Sequence, residues 1–225
     1  MEADDNSRFF MGVAASMLGG FLLTRIPTKS PIAVTFPVSD FFQPQAVAEV
    51  AQAFPSETEE DFVWSVWNYV GIAIKYEPIG SDMYFIGNYV SCDKCFIGAD
   101  AIARTEGNCV SKSSLLASLL LNRIPDDRIA LVIGEVFNTN GVAAGGHCWV
   151  EYMDPSGTWY VLESTTPPKG WIPVAVVSDQ YVPHVVLSNG SYTCDDEGLC
   201  QTVTALKIGC GCDQEIRTIA ARFSM

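Results

Sequence analysis

Apolar positions recur at helical spacing at Phe62, Val63, Val66, Trp67 and Val70, and Ile74 continues the row. That recurrence predicts a helix laying one face on a core. Ser56-Glu57-Thr58-Glu59-Glu60 stands upstream, a hydroxyl cap followed by acids that suit the positive end of the helix dipole. Tyr76-Glu77-Pro78 ends the run. A second helix begins at Cys109 behind Gly107-Asn108, sets Leu115, Leu116, Leu119 and Leu120 on one buried stripe, and stops at Asn122-Arg123-Ile124-Pro125. The period then changes. Ile129–Phe137 is rich in β-branched residues and flanked by turn residues, residues 138–146 form a glycine-rich loop, and residues 147–153 and 158–165 read as two more strands. Helices followed by strands predict an α+β fold, with the cysteine-bearing helix packed on an antiparallel sheet.

The turn between the last two strands fixes which residues share a face. In Asp154-Pro155-Ser156-Gly157 the first two residues after Asp154 suit a type I turn and Gly157 suits the left-handed position, so Asp154 pairs with Thr158. Counting outward, Glu151 lies opposite Val161 and Trp149 opposite Glu163. His147, Trp149 and Glu151 then share one face, and Glu163 reaches it diagonally. Cys148 points the other way, as a core residue.

These positions carry candidate chemistry. The free N–H groups and dipole of a helix start favour an anion, so Cys109 stands where a thiolate forms readily, with backbone donors for an oxyanion close by. Gly107 leaves room for a substrate backbone. His147, placed after the flexible loop, is predicted to face an open cleft as a base, with Glu163 holding the ring. Glu151 is the alternative orienting carboxylate. Each residue also has a plain structural role open to it: a packed thiol, a satisfied histidine, a solvated glutamate.

Composition narrows the partners. A chain of 225 residues, 48% hydrophobic and 17% charged, can bury a substantial core as one domain. We expect an N-terminal extension over residues 1–45 and the main domain, with a cysteine-rich tail, over 46–225. A net charge of -13 excludes nucleic-acid backbones and anionic lipid surfaces as docking partners and favours neutral or basic ones. The apolar run over residues 9–23 is shorter than the ~20 residues of a membrane span, which suits a buried or subunit-contacting segment in an oligomer or larger assembly, with membrane contact as the less favoured reading. Localisation stays open. Among the 8 cysteines, Cys92-x-x-Cys95 and Cys210-x-Cys212 supply the four ligands of a structural zinc site. Disulfides, including a Cys194–Cys200 pair, and reduced thiols are the rival readings.

The pieces GNCVSKSSLLASLL, HCWVEYM and WYVLEST, with VWNYVGIAIKYEP upstream, resemble the transglutaminase-like core of the papain-like thiol enzymes over residues 62–165. The resemblance implies a papain-like fold with Cys109 as nucleophile, His147 as base and later acid, and Glu163 as orienter, with no cofactor required for catalysis. The third member is usually Asp in that family, so Glu163 departs from the pattern. The implied activity is hydrolysis of a protein or peptide amide through a thioester, as in a cysteine peptidase, or acyl transfer. The alternative is a non-catalytic scaffold that keeps the fold within a larger assembly.

Overall fold

In a computed structural model, residues 34–55, 57–78, 81–86, 88–92, 97, 99–188, 191–194, 204–208 and 213–223 are described. Four of the helical segments are α1 (Ala48–Gln52), α2 (Glu59–Ala73), α3 (Ala99–Arg104) and α4 (Cys109–Leu120). Thr58 caps α2, its hydroxyl accepting from the Asp61 amide at 3.0 Å, and Glu59, Glu60 and Asp61 fill the first turn as predicted. Phe62, Val63, Val66, Trp67 and Val70 are buried, each contributing about 2 kcal/mol of transfer free energy.

The strands, in chain order, are β1 (Val34–Pro37), β2 (Lys75–Tyr76), β3 (Ser81–Ile86), β4 (Tyr89–Cys92), β5 (Glu106–Gly107), β6 (Ile129–Phe137), β7 (Ala143–Met153), β8 (Trp159–Leu162), β9 (Ile172–Pro173), β10 (Tyr181–Ser188), β11 (Ser191–Cys194) and β12 (Thr204–Ile208). The main sheet runs β1-β4-β3-β12-β7-β6-β10-β11, with β8 on β7 and β9 on β8. Its ladders are antiparallel except at β12, which meets β7 in parallel through Ile208 and Gly146. The short pair β2 and β5 is also parallel and leads straight into α4. Two further helices, α5 (Val174–Val177) and α6 (Asp213–Ala221), complete the described residues. The architecture is α+β, with α4 against the antiparallel part of the sheet.

The hairpin forms in the predicted register. Gly157 has φ +89°, the Asp154 amide donates to the Thr158 carbonyl at 2.9 Å, and Glu151 faces Val161. Two boundaries differ. β7 begins at Ala143, so the second half of the predicted loop pairs with β6, and β8 ends at Leu162, before Glu163. The sheet also reaches further toward the N-terminus than expected. β1 pairs with β4, and Val38 and Phe41 are buried, so residues 34–45 join the packed body within the compact unit Ala33–Met225.

Helix α4 is buried beyond its predicted apolar stripe, on every side, including Ser111, Lys112, Ser113, Ser114 and Ser118. Its polar groups are satisfied by neighbours. Ser114 Oγ donates to the Phe41 carbonyl at 2.7 Å, and Ser118 Oγ accepts from the Gln43 amide at 2.9 Å. No helix among the described residues is long and apolar enough to cross a membrane, and residues 9–23 lie outside them.

Candidate active site

Asn108 has the extended backbone of an N-cap, and its side-chain oxygen accepts from both the amide and the hydroxyl of Ser111 at 3.0 Å. This pins the first turn of α4 and sets Cys109 at its first position. Gly107 serves that turn and not an approaching substrate. A Cβ there would sit 2.7 Å from the Ser111 Cβ, so the space predicted for a ligand is filled by the helix.

His147 is in the middle of β7, opposite Gly134 of β6. Its Nε2 lies 2.8 Å from Glu163 Oε2, and Cys109 is near enough to the ring to help raise its pKa. A carboxylate only accepts, so Nε2 carries a proton. The predicted His147 and Glu163 therefore meet. Glu151, the alternative orienter, instead accepts the Trp149 indole N–H at 3.0 Å.

Glu163 is held by more groups than the sequence suggested. Thr165 donates its amide (2.9 Å) and its hydroxyl (2.6 Å) to Oε1, and Tyr181 donates its hydroxyl to Oε2 at 3.3 Å. The Trp67 indole donates to the Glu163 carbonyl at 2.7 Å. Ser113 Oγ donates to the Cys148 carbonyl at 3.0 Å and lies 2.9 Å from Ser164 Oγ, which ties α4, β7 and the segment after β8 together. Thr165 was legible as the hydroxyl two residues after a buried acid. Tyr181 and Trp67 come from distant elements and leave no local signal.

The charges balance within the buried group. Burial pushes the Glu163 carboxyl up, but the His147 charge and the hydrogen bonds from His147 and Thr165 outweigh it and hold the group below the usual carboxylate range. Burial pushes His147 down, yet the Glu163 charge and the hydrogen bonds to Cys109 and Glu163 raise it to about 10. Lys112, one turn along α4, is also buried. Its Nζ donates to the Gly71 carbonyl at 3.5 Å and to the Ile74 carbonyl, closing the C-terminus of α2. Burial lowers it to about 8, and attraction to Glu163 opposes that fall.

The predicted open cleft is absent at this point. Cys109 and His147 are 0% exposed and Glu163 is 1% exposed. The cause is the early start of β7: His147 lies inside a paired strand, with β6 along one edge and β12 and β8 meeting the other edge at Gly146 and Val150. Cys148, on the other face as predicted, is also 0% exposed and shares a hydrophobic cluster with Cys109. Burial above all pushes its thiol well up.

Cys92 is disulfide-bonded, so its sulfur is not the thiolate a zinc site would use, while Cys95, Cys210, Cys212 and Cys200 lie outside the described residues. Among the described residues no group of three or more His, Cys, Asp or Glu side chains could hold a metal ion.

The chain matches no family model and no curated protein. Among solved structures it is similar to Legionella pneumophila LapG, at TM-score 0.49 and 11% identity, over 83% of this chain and 99% of that one. An EGTA-treated form of the same protein gives 0.47 at 11% identity over 80% and 97%, and a calcium-bound form 0.44 at 12% over 80% and 99%.

Proposed function

We propose that this chain cleaves or transfers acyl groups from a protein or peptide amide, with Cys109 as nucleophile, His147 as general base and later acid, and Glu163 as the group that orients the imidazole. The observation that carries this reading is the 2.8 Å contact between His147 Nε2 and a buried, fully hydrogen-bonded Glu163, on a ring whose pKa Cys109 helps to raise. In the proposed reaction the thiol proton already rests on the His147 imidazolium, and the thiolate sulfur attacks the amide carbonyl. The leaving amine then takes the proton from the imidazolium, and water or a second amine resolves the thioester. Backbone N–H groups at the start of α4 serve the oxyanion.

Complete burial favours a second reading, a scaffold in which the three side chains form a structural network. The two readings separate by thiol labelling, because Cys148 is an equally buried internal reference. Iodoacetamide at neutral pH, read by mass spectrometry, is expected to modify Cys109 at least tenfold faster than Cys148, and His147→Ala with retained circular dichroism is expected to abolish that preference. Equal rates at the two thiols in the wild-type chain would sink the enzyme reading.

A further inference from the structure

At the far end of β7 from His147, about 16 Å along the strand at the usual rise, lies a cavity of about 330 Å³ that the proposed chemistry does not use. Three aromatic rings line it: Tyr152, Tyr160 and Trp171. They are tilted against one another, Tyr160 to Trp171 at 64° with centroids 5.4 Å apart and Tyr152 to Trp171 at 42° and 6.1 Å, so they form the walls of a corner and not a flat stack. Thr58, Glu59, Glu60, Asp154 and Pro155 complete the lining.

The charge left over in this cavity is negative. Glu59 is neutralised by Arg128, whose Nη1 donates to it at 3.1 Å, and it also accepts the Tyr152 hydroxyl at 2.6 Å. Asp154 is engaged only by neutral donors of its own turn, the Ser156 amide at 2.9 Å, the Ser156 hydroxyl at 2.7 Å and the Thr158 amide at 2.9 Å, with the Tyr160 hydroxyl at 3.5 Å. Those bonds hold its position and leave its charge uncompensated. Among the described residues neither Glu60 nor Asp154 has a cationic partner. The start of α2 borders the cavity, and its dipole alone would favour an anion. However, Thr58 already takes the Asp61 amide, and the three acids of the first turn outweigh the roughly half charge of the helix end.

Ring faces carry partial negative charge, and tilted aromatic walls beside carboxylates attract a cation that is poorly hydrated. A strongly hydrated inorganic ion gains little from such walls, whereas an alkylammonium group presents apolar carbons to the rings and its charge to the acids. We propose that this cavity binds an alkylammonium cation, carried either by a small quaternary amine or by the side chain of a lysine in a peptide. The net charge of -13 draws such cations to the surface. Trp171 also packs on Trp67, with centroids 5.9 Å apart, and the Trp67 indole holds the Glu163 carbonyl, so an occupant would press on the group that positions the histidine.

Tryptophan fluorescence and nuclear magnetic resonance of the full-length chain test the site with four probes: choline, its neutral isostere 3,3-dimethylbutan-1-ol, N-acetyl-lysine methylamide, and the same amide trimethylated at Nε. Saturable binding of choline or of either lysine amide is expected, at least tenfold tighter than the isostere, and the preferred probe identifies the source of the cation. Trp171→Leu should weaken the cation at least tenfold. Asp154→Asn, which keeps the turn, should weaken the cations severalfold and leave the isostere unchanged. Cys109→Ala should change nothing, which separates this site from the thiol chemistry. Affinity for the isostere equal to that of every cationic probe, or a cation affinity that survives both Trp171→Leu and Asp154→Asn, would overturn the proposal.

Discussion

The buried pair of His147 and Glu163 makes a residue-scale statement about stability. His147 is raised in the folded state to about 10, from an ordinary value near 6.5, so its contribution is fully present below pH ~6.5 and is lost as pH climbs through about 10. Glu163 is lowered, so its contribution is present above its ordinary value of ~4.5 and is lost as pH falls through the depressed value. The pair therefore stabilises most between pH ~4.5 and ~6.5. Lys112 works in the opposite direction above pH 8: lowered to about 8, it raises stability as the unfolded chain, but not the folded one, still holds that proton. Subtracting the urea stability of His147→Gln from that of the wild type cancels the Lys112 contribution. The difference is expected to be largest near pH 6 and to shrink steadily toward pH 10. A difference that stays flat from pH 6 to 10 would show that His147 is not charged by Glu163.

At the scale of the elements, strand β6 makes room for the site by omitting a side chain. A Cβ on Gly134 would lie 2.0 Å from the Val182 carbonyl, 2.8 Å from Trp149 Cη2 and 2.9 Å from Pro183 Cα. Gly134 pairs with His147, and the ladder of β10 shifts register between Pro183 and Val185 beside it. Gly134→Ala must displace β10 or the Trp149 ring that stacks on His147 at 6.3 Å. Its expected cost is about 3 kcal/mol, the upper end of overpacking, measured by urea titration and accompanied by a changed tryptophan spectrum. Little of this was legible in the sequence. Helical spacing and the Asp154 turn located α2, α4 and the register of β7 on β8, because those signals are local. The sequence did not show that α4 is wrapped on all sides, since the partners of Ser114 and Lys112 come from Phe41 and from Gly71 and Ile74, 73, 41 and 38 residues away. The early start of β7 was hidden for a related reason. Ala143, Ala144, Gly145 and Gly146 have the composition of a loop, and the pairing that β6 imposes on them overrides it.

For the whole molecule the decisive property is closure, because a carbonyl cannot reach a sulfur that is 0% exposed. Cys109 belongs to a hydrophobic cluster that includes Phe36, Phe41, Met83, Phe85 and Val90, side chains from β1, β3, β4 and the short helical turn after β1. The ribbon β1-β4-β3-β12 joins β7 through a single described bridge, Ile208 with Gly146, one residue before His147. By contrast, β6 and β7 share nine register pairs. Among the described residues this seam is shorter than the join of β6 with β7, and parting along it is expected to expose Cys109 while the pairing of β6 with β7 and the core under α2 stay intact. Thiol labelling as a function of urea measures this, because the slope of the opening free energy reports the surface exposed. Below the unfolding transition, Cys109 is expected to label with a slope well under half that of global unfolding followed by tryptophan fluorescence. Cys148, whose backbone is paired within β6 and β7, should follow the seam only where its side chain loses the shared cluster, and should otherwise track global unfolding. If Cys109 labels with the full global slope, no partial opening leads to the thiol, and the scaffold reading of the three buried side chains prevails over the catalytic one.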